Sequence, residues 1–141
     1  MKKVLFPTLL ILISIFACKK ELPPIDYYFS FTANGTEVTR DSLEFYADNL
    51  IDSILTLTFS VDDKELHFII NPYTEEGTYE DVYMNYYDGT YSYYGSGTVI
   101  VQEIDPKRYI KGTFSGQATT LGAAIEVLIE NGEFMQKYDQ L

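Results

Sequence analysis

Along residues 55–61 apolar and polar side chains alternate with period two, Leu55, Leu57, Phe59 and Val61 against Thr56, Thr58 and Ser60. A strand sends successive side chains to opposite faces, so this run predicts a half-buried β-strand. The same pattern recurs at Tyr27, Phe29 and Phe31, at Leu66, Phe68 and Ile70, and at Ile125, Val127 and Ile129, while Ile110 and Phe114 share a face with Gly112 and Gly116. Thr98 to Ile104 reads as a β-branched strand of ambiguous facing, and Tyr79 to Tyr87 and Tyr91 to Tyr94 as aromatic strands. Between these runs stand turn signals: Asn34-Gly35, Asn71-Pro72, Glu76-Gly77, Asp88-Gly89, Asp105-Pro106 and Asn131-Gly132.

Short strands, tight turns and no series of βα units predict an all-β fold, an antiparallel β-sandwich or a partly closed β-barrel with meander and hairpin connections. One segment carries two patterns. Leu43, Tyr46, Ala47, Leu50, Ile51 and Ile54 follow helical spacing after Asp41-Ser42, yet Leu43, Phe45 and Ala47 also alternate. Asp48-Asn49 and Asp52-Ser53 interrupt the helical pattern, which favours a short strand and a loop.

The N-terminus departs from all this. Lys2 and Lys3 precede an apolar run from Val4 to Phe16, then Ala17 and Cys18. That is the order of a signal peptide, and the run, broken by Pro7, falls short of the roughly 20 residues a membrane span needs. Cys18 is the sole cysteine, so no intrachain disulfide exists. Ile15-Phe16-Ala17-Cys18 resembles the lipobox of bacterial lipoproteins, with Phe16 departing from the small or aliphatic residue commoner there. The resemblance implies that residues 1–17 are removed and Cys18 is acylated. Two or more acyl chains hold durably to a bilayer. Residues 18–25 then form the lipidated Cys and a tether stiffened by Pro23 and Pro24, and residues 26–141 one domain. The expected location is the cell envelope, in the outer membrane. Lipoproteins that this segment resembles carry acidic residues just after the Cys when exported to the surface, so the resemblance, with Lys19-Lys20 ahead of the lone Glu21, implies a periplasm-facing anchor.

Charge narrows the partners. The net charge is −11, and loss of Lys2 and Lys3 takes it to −13. Nucleic acid is thereby excluded as an expected partner, since phosphate binding needs clustered Lys and Arg. The chain is too aromatic and too sparsely charged to be disordered.

Candidate chemistry is thin. His67 is the only histidine and falls opposite Leu66, Phe68 and Ile70, which makes it a partly exposed strand residue. No zinc spacing occurs, and no serine stands in a G-x-S-x-G elbow. Asp62-Asp63-Lys64-Glu65 lies in an expected hairpin turn, and Glu75-Glu76 and Glu80-Asp81 flank Gly77, but neither cluster matches a calcium loop. Asn34-Gly35-Thr36 fits a glycosylation acceptor and reads better as a turn. No catalytic residue, metal site or cofactor is assigned.

Tyrosine is the exception. Eight of the 13 tyrosines lie between Tyr73 and Tyr94. Tyrosine combines a rigid apolar plane with a hydroxyl and suits both binding surfaces and sheet-stabilising pairs. If the cluster binds, Tyr83, Tyr86, Tyr91 and Tyr93 are the expected exposed set on a hairpin around Asp88-Gly89.

Gly97-Thr98-Val99-Ile100-Val101, Asp105, Ile110 to Ser115 and Ile129 to Phe134, with Phe29 to Gly35, Val38 and Gly77-Thr78-Tyr79, resemble a family of small lipoproteins of uncharacterised function from Bacteroidota-type bacteria. The resemblance implies export, a lipidated Cys and an all-β domain, and it transfers no catalytic residue. The expected function is therefore a lipid-anchored binding or interaction module, attached to the membrane and contacting a glycan or envelope protein through the Tyr-rich hairpin. A ligand-free structural envelope lipoprotein and a carboxylate-dependent hydrolase are the alternatives.

Overall fold

The structure, a computed structural model, describes residues 24–41, 46–50, 53–106, 108–122 and 124–139. The signal segment, Cys18 and most of the tether lie outside the described residues. Among the described residues nine strands follow one another: β1 (Tyr28–Ala33), β2 (Thr36–Asp41), β3 (Tyr46–Leu50), β4 (Ile54–Val61), β5 (Lys64–Ile70), β6 (Gly77–Tyr87), β7 (Ser92–Asp105), β8 (Tyr109–Thr120) and β9 (Glu126–Asp139). No helix occurs among the described residues. The segment with two patterns contributes β3, as the strand reading expects.

The strands form one sheet in the order β2-β1-β9-β3-β4-β5-β6-β7-β8. From β3 to β8 each strand pairs antiparallel with the next, a plain meander. β9 then returns, pairing antiparallel with β8 along one edge and with β1 along the other, while its end at Lys137–Asp139 runs parallel to β3. The sheet thus meets itself at β9, and the partly closed barrel, not the sandwich, is the fold.

Closure is incomplete beside β4. Among the described residues β3 pairs with β4 at residues 54–56, and no strand partner is seen for the later carbonyls of that edge. Side chains take over: Gln136 Nε2 donates to the Thr58 carbonyl at 2.7 Å and Arg40 Nη1 to the Ser60 carbonyl at 2.9 Å. Gln136 is fully buried, and its bond removes the cost of a carbonyl left unpaired at the seam, whereas the Arg40 bond lies at the surface.

The interior is built on phenylalanine. Phe59 of β4 stacks on Phe114 of β8 with centroids 4.8 Å apart and meets Phe29, Phe68 and Phe134 edge-on at 5.3–6.5 Å. Offset and T-shaped contacts of this kind add about 0.5–1.5 kcal/mol each to the burial itself. Glycine makes room for them. A Cβ on Gly132 would lie 2.3 Å from the Phe114 ring, and one on Gly97 would lie 2.8 Å from the Phe68 ring.

One turn expectation is corrected. Asn131-Gly132 is no turn: Asn131 takes φ 52° inside β9, where the registers of β1 and β8 both slip. An Asn that tolerates positive φ serves a bulge as readily as a turn. Asp88-Gly89 does lie in the turn of the β6–β7 hairpin. Tyr87 pairs with Ser92, so the loop has four residues, 88–91. The ambiguous strand resolves as well, with Val99 and Val101 inward and Ile100 outward.

Candidate functional site

The Tyr-rich hairpin is the β6–β7 pair. Its loop is organised by Asp88, whose Oδ1 accepts from the Thr90 and Tyr91 backbone N–H groups at 2.8 and 2.7 Å, while Oδ2 accepts from the Tyr93 hydroxyl at 2.8 Å. Burial would raise the Asp88 carboxyl, but these three donors outweigh it and hold the group below the usual carboxylate range.

The four expected tyrosines do not share a face. Tyr83 and Tyr91 are 46% and 50% exposed, whereas Tyr86 and Tyr93 are 2% and 5% exposed and point into the barrel. Tyr86 and Tyr93 are cross-strand partners with ring centroids 5.9 Å apart. Burial, followed by the charge of Asp88, pushes the Tyr86 hydroxyl up to about 12. Burial and then the bond to Asp88 raise Tyr93 as well. The single exposed patch of Tyr83, Tyr86, Tyr91 and Tyr93 is therefore corrected, and the reason is parity. Residues 83 and 86 are three apart on a strand and must face opposite sides.

The outward tyrosines belong to a different array. Tyr83, Tyr87 and Tyr94 stand exposed on the outer face of the hairpin. Cross-strand register carries a row from Ile69 to Tyr83, Ser96, Gln117 and Leu128, one residue from each of β5 to β9. Four strand spacings make it about 19 Å long. Ile69 and Leu128 at its ends are exposed, although each sits on the polar side of its strand. That misplacement was the signal available in the sequence.

A bulge in β6 shapes the surface above this row. Register slips between Tyr79 and Val82, Asp81 takes φ 53°, and Glu80 and Asp81 both emerge exposed. On one side lies an open groove of about 820 Å³ walled by Ile69, Pro72, Tyr79 and Tyr83. On the other lies a groove of about 570 Å³ bounded by Ser96, Thr98, Gln117, Leu128 and Glu130. The two carboxylates border both.

The inward tyrosines wall a smaller recess of about 230 Å³ at the end of the barrel. Ala33, Val38 and Val127 form its buried floor, and Thr36, Lys64 and Asp88 stand on its rim.

Remaining candidates resolve plainly. His67 is 32% exposed on the outer face, hydrogen-bonded through Nδ1 to Thr58 Oγ1 at 3.0 Å, with Nε2 lying 3.2 Å from Glu65 Oε1. All three lie on the flat β4–β5 surface, and none of the three cavities described is lined by any of them. Asp62-Asp63 form the β4–β5 turn. No group of three His, Cys, Asp or Glu side chains positioned for a metal occurs among the described residues. Asn34, at φ 48°, turns β1 into β2, and its amide group is taken up by β9: Nδ2 donates to the Glu126 carbonyl at 3.1 Å, and Oδ1 accepts from Leu128 N–H at 2.8 Å. Comparison with family models, with curated proteins and with solved structures yields no match to this chain.

Proposed function

We propose that this chain is a lipid-anchored cell-envelope protein whose barrel binds an extended, uncharged glycan along the outer face of β5 to β9. The observation that carries the reading is the five-strand row from Ile69 to Leu128, with Tyr83 within it and the Glu80-Asp81 bulge above. An aromatic plane suits the C–H face of a sugar ring, carboxylates and Gln117 accept from its hydroxyls, and a chain of net charge −11 repels acidic polymers. The lipobox-like Ile15 to Cys18 and the resemblance to small Bacteroidota-type lipoproteins support the anchor and the envelope location.

Two experiments test the two halves. Cys18→Ser should move the protein out of the membrane fraction, and retention equal to the parent's would overturn lipid anchoring at this residue. A glycan array probed with the parent and with Tyr83→Ser should show neutral polysaccharides lost in the variant. Identical profiles would remove the outer row from the reading.

A further inference from the structure

The recess at the barrel end differs in kind from the two outer grooves. The outer grooves are bordered largely by exposed side chains, whereas five of the recess's lining residues, Ala33, Val38, Tyr86, Tyr93 and Val127, are buried. It is a built concavity in the mouth of a barrel, where small-molecule sites recur. Four separate parts of the chain close on it: the β1–β2 hairpin, the start of β5, the β6–β7 loop and β9.

Its chemistry is two-signed. Lys64 lies between Asp63 and Glu65 in sequence, yet it forms no ion pair among the described residues. Asp88, which lines the same recess, is fixed by Tyr93 and two backbone donors, and its lowered carboxyl supplies the negative charge. Two phenol rings and an apolar floor complete the lining, and the Asp63 carboxylate, beside Gly89, adds a second negative charge near Tyr86. A volume of about 230 Å³ corresponds to about eight waters, below the range of drug-sized pockets.

We propose that this recess binds a free aliphatic α-amino acid, its carboxylate on Lys64 and the Tyr86 hydroxyl, its ammonium on Asp88, and its side chain on Ala33, Val38 and Val127. A zwitterion satisfies both charges at once, which neither a simple amine nor a simple carboxylate does. Tyr86 keeps its proton throughout the neutral range and so remains a donor. The site is independent of the outer face and of the lipid.

The test is calorimetric titration of the full mature chain with three probes of one shape: L-leucine, leucinamide without the carboxylate, and 4-methylpentanoate without the ammonium. L-leucine should bind with one-to-one stoichiometry, and each truncated probe should bind at least tenfold more weakly, since a charge-assisted bond contributes about 1.5–3 kcal/mol. Lys64→Met should weaken L-leucine by a similar factor and leave leucinamide unchanged, with the circular dichroism spectrum preserved. No saturable heat at millimolar L-leucine, or equal affinity for all three probes, would overturn the proposal whatever the glycan array shows.

Discussion

The two faces of the β6–β7 hairpin carry the same residue under opposite physical demands. On the inside, Tyr86 and Tyr93 pack against each other, and Tyr86 meets Phe31 edge-on with centroids 6.1 Å apart. On the outside, Tyr83, Tyr87 and Tyr94 keep much of their ring area in water. The inner pair contributes through burial and hydrogen bonding to stability. The outer set, open to solvent, contributes little to stability. Tyrosine density alone therefore says nothing of function until each ring is assigned a side.

Truncation breaks the comparison most directly. Tyr86→Ala should destabilise the barrel by about 3–5 kcal/mol, the range for emptying an aromatic site in a core, seen as a lower urea midpoint. Tyr83→Ala should stay within about 0.5 kcal/mol of the parent. Equal losses would mean that the two faces are energetically alike and that the outer rings are part of the sheet's own fabric.

Asp88 joins the two faces, since it sets the loop and holds the inner Tyr93. Asp88→Ala removes three hydrogen bonds and leaves the buried Tyr93 hydroxyl without its acceptor, an expected loss of about 1–3 kcal/mol. Asp88→Asn keeps an acceptor and should lose less. Hydrogen exchange at the Thr90 and Tyr91 amides reports the same bonds locally, and both should exchange faster in either variant.

Titration sharpens the contrast further. The Asp88 carboxyl is lowered in the fold, so its stabilisation is present above the unfolded value of about 4 and is lost as pH falls through the lower folded value. The Tyr86 hydroxyl is raised from 10.0 to about 12, so its contribution is complete below pH 10 and is lost as pH rises from there to about 12. Melting temperature followed against pH should fall at both ends. Tyr86→Phe should flatten the alkaline limb and leave the acid limb, whereas Asp88→Asn should flatten the acid limb and also soften the alkaline one, since Asp88 helps raise both Tyr86 and Tyr93.

Strands with unbroken alternation were legible in the sequence because one buried face imposes period two: Leu55, Leu57 and Phe59 are all inside, as are Leu66, Phe68 and Ile70. Parity alone puts Tyr83 and Tyr86 on opposite faces, but which of them points inward was not legible, because the bulge at Glu80-Asp81 shifts parity midway through β6. Tyr79 packs against the core, yet Tyr83, four residues on, faces out. Nothing local marks that bulge except an Asp able to adopt positive φ. Long-range closure was equally hidden. That β9 pairs with β1 and β8 together depends on register across the whole chain, and Asn131-Gly132, the strongest turn signal in its vicinity, serves that double pairing as a bulge.

The smallest expected effect on stability is also the most informative about function. Tyr83 pairs with Ile69 and Ser96 across the sheet, contacts worth about 0.2–1 kcal/mol on an exposed surface. Tyr83→Ser should therefore move the melting temperature by a few degrees at most. Loss of glycan binding should be far larger in proportion, about 1 kcal/mol or more if the ring is a contact of the kind that dominates interfaces. Tyr94→Ser, diagonal to Tyr83 across β6 and β7 and outside the five-strand row, is the internal control. It exposes a similar area and should cost a similar fraction of a kcal/mol, yet spare binding if the row rather than the whole aromatic face is the site. A melting shift for Tyr83→Ser as large as that for Tyr86→Ala would erase the distinction between the faces, whereas equal loss of binding in both outer variants would widen the site to include Tyr94.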